Sequence, residues 1–274
     1  MPSLVDGIFF VWEKSLVWLA WDCLSLSVVI ITRNEEANLA RTLTSVCWAD
    51  EIVVVDSGST DRTREVAETF HAKFYVEPWK GFAAQKNSAL VKASGEWILS
   101  LDADEEVEPA LADEIRTVLA ANPSVAGFWI PRKNFFLGRW IKHGGFYPDL
   151  KLRLFQRGTG TFEDRPVHED IHLDGTTARL HHHLLHHAYP TLESYIEHMN
   201  RYSSLGAQMV SEKRIRGFSF VDIVLRPKFT FLYNYGLRLG FLDGSEGLLL
   251  HLYHAGYVSW KYAKAWEMGK NKSE

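Results

Sequence analysis

Cysteine is nearly absent from this chain. Cys23 and Cys47 are the two in 274 residues, and their spacing excludes a zinc-binding or disulfide framework. Such a pair reads as two thiols kept reduced inside a cell. Long apolar runs are lacking as well. Near the start, Ile8–Val11 and Leu16–Trp21 are apolar, but Asp6, Glu13, Lys14 and Asp22 interrupt them, so no run reaches the length of a spanning helix. No basic segment leads into a small-residue cleavage site, which excludes a signal peptide of the usual kind. Residues 1–24 are expected to be an amphipathic appendage, or a translated stretch upstream of the true start. Repeats and low-complexity tracts are also missing, which leaves an ordinary globular chain.

What is present is enough for a large core: 46% of residues are hydrophobic and 13% aromatic. Charge is unevenly spread. Residues 201–274 hold 11 Lys/Arg and 6 Asp/Glu, whereas residues 1–200 hold 19 and 28. An acidic body with a basic tail rich in Phe, Tyr, Trp and Leu suits an anionic membrane surface. No aromatic-basic RNA-binding motif is visible, so nucleic acid is not an expected partner.

The pattern from Leu24 onward alternates strand with helix. Ser27–Thr32 and Glu51–Val55 are β-branched runs of buried-strand type, Lys73–Glu77 can be a third strand, and Trp97–Leu101 is another buried run. Between them Leu39, Leu43 and Val46 fall at helical spacing, Val66 and Phe70 sit four apart, and residues 81–93 read as a helix. Pro109 opens a further helix with Leu111, Ile115, Val118 and Leu119 on one face. This rhythm predicts an α/β domain with a mainly parallel, Rossmann-like sheet. Gly127–Phe136 and Leu150–Gln156 read as later strands, and the chain turns helical from Thr191. The expected division is an appendage at 1–24, a catalytic domain at 25–190 and a helical, basic-aromatic, membrane-docking extension at 191–274.

Ligands of open α/β sheets bind beyond the carboxyl ends of the strands. Polar residues fall there repeatedly: Thr32 after the first strand, Asp56 after the second, Asp102 and Asp104 after the fourth. Asp102 and Asp104 are two apart on extended chain, so both carboxylates face one way, an arrangement suited to a divalent cation that also holds phosphate oxygens. The bland alternative is a solvated acidic turn, because Glu105, Glu106 and Glu108 follow directly. Asp56 can accept hydrogen bonds from a ribose or base, or merely shape its turn. Lys86 with Asn87 can face a phosphate. Transfer to a hydroxyl would need a general base, for which Asp164, Glu169, Asp170 and the more distant Asp149 are open. Five histidines lie among residues 181–187, and His187 is the expected metal ligand if one of them completes a cation site.

The segments SVVIITRNEEANL, EIVVVDSGSTDRT and AAQKNSALVKASGEWILSLDADE resemble family 2 glycosyltransferases of the GT-A fold, in order and spacing over roughly residues 25–108. Many members carry Tyr where this chain has Arg33. The resemblance implies that Thr32, Glu35 and Asp56 contact the uridine part of a UDP-sugar. It also implies that Lys86 lies near the diphosphate, and that Asp102 and Asp104 hold it through Mg²⁺ or Mn²⁺. Further on, LKLRLFQRG, FEDRPVHEDI and RPKFTFLYNYGLRLGFLDGSEGLLL resemble bacterial lipopolysaccharide-core transferases that add glucose to inner-core heptose. That likeness ranks Glu169 first and Asp164 second as the base of an inverting transfer. It implies UDP-glucose as donor, a lipid-anchored saccharide acceptor and work at the cytoplasmic face of the membrane. A polyprenyl phosphate or other envelope glycan as acceptor, and a non-catalytic nucleotide-sugar binder, are the competing readings.

Overall fold

Residues 25–163, 170–213 and 217–271 are described by a computed structural model. Its first half follows from the buried runs. β1 (Leu26–Thr32) lies between β2 (Glu51–Asp56) and β4 (Trp97–Asp102), with β3 (Lys73–Val76) outside β2, all parallel. Between these strands run α1 (Glu36–Val46), α2 (Thr63–Thr69) and α3 (Phe82–Lys92), and α4 (Pro109–Ala120) follows the short β5 (Glu105–Val107). Side chains of β1 alternate between two cores. Val28 and Ile30 join Leu39 and Leu43 of α1 and Leu111 and Ile115 of α4, while Val29 joins Ala89 of α3 on the opposite face. Burial on both faces is why β1, β2 and β4 are continuous apolar runs rather than alternating ones.

The second half extends the same sheet with mixed directions. β6 (Gly127–Phe136) carries the two-residue β7 (Arg139–Trp140) at its end, and β8 (Asp149–Gln156) inserts antiparallel between β4 and β6. β9 (Gly160–Glu163) and β10 (Asp170–Leu173) form a separate antiparallel pair. β11 (Thr177–Arg179) and β12 (Leu184–Tyr189) both run parallel to β6, and β12 also pairs antiparallel with β5.

From α5 (Leu192–Lys213) onward the described chain is helical. α6 (Arg226–Phe231) is flanked by wide π-helical turns at Val221–Leu225 and Leu232–Leu237. A 3₁₀ turn at Gly240–Asp243 then leads into α7 (Gly244–Asn271), which packs along α5. Phe136, Ile141, Tyr195 and Leu250 form the small core that joins sheet to helices. Beside it His251 is 1% exposed, wedged against Gly144 and Gly240, and both its ring nitrogens lack a partner among the described residues. No helix among the described residues is long and apolar enough to cross a membrane.

Candidate active site

Strand register brings the predicted polar residues to one edge. Thr32 pairs with Asp56 across β1 and β2, and Ile31 pairs with Asp102 across β1 and β4. Asp56 is 2% exposed and fully engaged by its own turn. The Thr32 hydroxyl donates to it at 3.0 Å, the Gly58 and Ser59 amides at 2.8 Å each, and the Ser59 hydroxyl also donates. It therefore shapes the 57–60 loop. Glu35 is anchored through its amide to the Thr63 hydroxyl at 2.8 Å, and its carboxylate accepts from Asn38 at 2.9 Å. Burial pushes the Glu35 carboxyl up, Asn38 pulls it down, and the nearby Asp104, Asp61 and Asp102 add to the rise.

Asp102 sits at the end of a ladder of alternating charges. Lys86 of α3, 4% exposed, places its ammonium 2.8 Å from Asp102 Oδ1, and Arg153 of β8 binds Oδ2. Arg153 also holds Glu105 at 2.8 Å, and Arg132 of β6 holds Glu105 at 2.7 Å and Asp149 at 2.8 Å. Glu105 is 0% exposed, so the solvated-turn alternative fails for it. Burial raises the Asp102 carboxyl, but Arg153 and Lys86 outweigh burial and hold it well below the usual carboxylate range. Sequence reasoning missed Arg132, Arg153 and the role of Glu105. The one signal is the charge in DLKLRLFQ: Asp149, Lys151 and Arg153 fall at two-residue intervals and so share a face.

Asp104 has different company. Its Oδ2 lies 3.3 Å from His186 Nε2, and the other His186 nitrogen meets Asn134 Oδ1 at 2.7 Å. Burial raises the Asp104 carboxyl, and contact with His186 lowers it below its ordinary value on balance. His187, expected as the ligand, faces elsewhere: its Nε2 is 3.2 Å from Glu106 and its ring stacks on Phe135. Among the described residues, no three or more His, Cys, Asp or Glu side chains converge as a metal cage. An oxygen donor at Asp104 beside an imidazole at His186 still fits a cation that draws its other ligands from phosphate and water.

Asn87, grouped with Lys86 in the sequence, serves the backbone instead. Its amide exchanges two 2.9 Å hydrogen bonds with the main chain of Phe162, whose ring lies 5.3 Å from the Lys86 ammonium. This clamp anchors β9 against the Asp102 site. Glu163 pairs with Asp170 where β9 and β10 meet, so both ends of the intervening segment are held there. Asp164 and Glu169 belong to that segment and lie outside the described residues. A cavity of about 320 Å³ opens beside the Asp104–His186 pair, lined by Arg132, Asn134, Asp149, His186, Phe146 and Tyr189 among others.

The profile of glycosyl transferase family 2 matches residues 27–186. The chain belongs to that family. It is therefore a glycosyltransferase, and its sheet with a helical C-terminal part is the expected GT-A architecture. The transferase is 32% identical over 257 residues to the lipopolysaccharide core biosynthesis glycosyltransferase LpsC of Rhizobium meliloti, covering 88% of this chain and 94% of that protein. It is 30% identical over 236 residues to an uncharacterized glycosyltransferase of Rickettsia typhi, covering 82% of this chain and 80% of the relative. Among solved structures, S. aureus TarS 1–349 in complex with UDP-GlcNAc overlaps 91% of this chain and 92% of that one, at 16% identity and a TM-score of 0.47.

Proposed function

We propose that the transferase moves a hexose, glucose from UDP-glucose, to an inner-core heptose of lipopolysaccharide, with inversion at the anomeric carbon. The likeness to the lipopolysaccharide core biosynthesis glycosyltransferase LpsC over most of both chains supports the core as acceptor, and glucose and heptose follow from the resemblance of the later segments to core glucosyltransferases. Residues 25–190 are the catalytic domain, and 191–274 dock the enzyme on the cytoplasmic face of the membrane. The lack of a spanning helix among the described residues favours this over a polyprenyl-phosphate enzyme with membrane spans.

Each residue then has a task. The turn organised by Asp56, with Thr32 and Glu35, receives the uridine, and Lys86 lies beside the diphosphate. Asp102, already neutralised by Lys86 and Arg153, is a fixed hydrogen-bond acceptor rather than a free ligand. Asp104 and His186, rather than His187, would hold Mg²⁺ or Mn²⁺. When bound, the cation supplies Lewis-acid stabilisation of the departing diphosphate. Glu169, with Asp164 second, takes the proton from the acceptor hydroxyl as that oxygen attacks the anomeric carbon and UDP leaves on the opposite side. The Asn87 clamp, which ties the base of their segment to the Lys86 side of the site, supports the assignment.

The test is a panel of UDP-sugars, scored for metal-dependent transfer to core oligosaccharide by the purified protein. Asp104→Ala should lower turnover by at least about 10²-fold and remove the metal dependence of UDP binding. Glu169→Gln should lower turnover and leave UDP-sugar affinity near wild type. Unimpaired turnover in Asp104→Ala would sink the proposal, and transfer only to polyprenyl phosphate would reassign the acceptor.

A further inference from the structure

The segment 218–242 reverses the usual rule for a surface helix. Many of its outward side chains are apolar: Phe218 is 61% exposed, Phe229 66% and Leu237 78%, with Val221, Val224 and Leu232 also open. Its inward side chains include Asp222 and Pro227, both buried. A shallow groove of about 670 Å³ runs along the outward side between Phe229, Leu232, Tyr233 and Leu237. Contiguous exposure on this scale marks a surface with a partner.

The charges identify the partner. Both acids of the segment 217–243 are turned inward: Asp222 is 6% exposed and pairs with Arg226 at 2.7 Å, and Asp243 is 2% exposed and pairs with His143 at 2.8 Å. The outward charges are Arg226, Lys228 and Arg238, all positive. A second copy of the chain, meeting this face across a two-fold axis, would bring those cations together with no exposed acid from the same segment to offset them. An anionic bilayer offers hydrocarbon to the apolar side chains and phosphate to the cations at once.

We propose that residues 218–242 form an in-plane anchor that inserts Phe229, Leu232 and Leu237 into the interface of an anionic membrane, placing the rim of the catalytic cavity at that surface. This deepens the membrane docking assigned above and rests on it. The link to the cavity is Arg238. Its carbonyl accepts the Gly144 amide at 2.9 Å, and its guanidinium lies against Gly145, in the space that a side chain there would take up. Gly145 itself lines the cavity that holds His186 and Asp149. The anchor and the cavity mouth therefore share an edge, and an acceptor rooted in lipid reaches the site without leaving the membrane.

The experiment is flotation of the full-length protein with vesicles of phosphatidylethanolamine and phosphatidylglycerol, against vesicles of phosphatidylcholine alone. Wild type should float with the anionic vesicles and release as salt is raised. Phe229→Ser and Leu237→Ser should each weaken partitioning by about tenfold or more, and Lys228→Glu should remove the preference for phosphatidylglycerol. All three should hydrolyse UDP-sugar at the wild-type rate without vesicles, which shows that the fold and site are intact. Failure of wild type to float, or flotation unchanged in all three variants, would overturn the proposal. So would a wild-type dimer in light scattering that Leu237→Ser converts to monomer. Flotation as expected alongside no turnover with any UDP-sugar would refute the assigned reaction and leave the anchor standing.

Discussion

The sheet half and the helical half of this molecule are organised by opposite uses of apolar residues. In β1, β2 and β4 nearly every apolar side chain is buried, and apart from the small buried Ser27 and Ser100 the polar groups stand where strands begin or end. In residues 218–242 many large apolar side chains face outward and the one acid, Asp222, faces in. The first pattern makes a rigid floor that delivers Thr32, Asp56 and Asp102 to one edge. The second makes a surface whose stability does not depend on what its exposed side chains are. The contrast separates residues that hold the fold from residues that the proposed anchor would use.

The contrast can be broken most severely at Glu105. It is fully buried and shared by Arg132 and Arg153. Glu105→Gln leaves two buried guanidiniums short of a carboxylate and should cost about 3–5 kcal/mol, read from the urea midpoint. A loss below 1 kcal/mol, on the order expected of an exposed pair, would show that the ladder is not structural.

A smaller effect is expected from acid in the helical half. Burial, with His254 adding to it, pushes His251 down to about 4 from its ordinary 6.5. The unfolded chain then takes up a proton first. Stability is complete above pH 6.5 and falls as pH drops toward 4, by up to about 3 kcal/mol at the lower end. Urea titrations between those limits should show this slope, and His251→Leu should flatten it. An unchanged slope in the variant would place the acid sensitivity elsewhere.

The smallest effect sharpens the comparison from the other side. Leu237→Ser should change the urea midpoint by less than about 0.5 kcal/mol, because that side chain touches little within the protein. A large loss would mean that the outward face is packed in solution.

The legible parts of the molecule were those written in local pattern. Buried runs mark β1, β2 and β4, helical spacing marks α1 and α4, and the position of Asp102 and Asp104 at a strand end separates them from an ordinary acidic turn. What could not be read depends on long-range pairing. Arg153 meets Asp102 only because β8 inserts beside β4, and nothing in LKLRLFQ names that neighbour. The histidines show the limit most sharply. His186 and His187 are adjacent, and the side of β12 that each faces is set by register against β5 and β6, where one residue of shift exchanges them. His187 was therefore a reasonable expectation from composition, and His186 is the residue beside Asp104.

The charge ladder beneath Asp102 and Asp104 is nearly neutral as a whole. The cations Lys86, Arg153, Arg132 and Lys151 are matched by Asp102, Glu105, Asp149 and the adjacent Asp104, so opposite charges follow one another across the sheet. Such an array behaves as a high-order multipole. Its field is strong at contact and cancels within a few ångströms, far inside a Debye length of about 8 Å. It cannot steer a nucleotide sugar from a distance. The ladder therefore acts on a donor already seated.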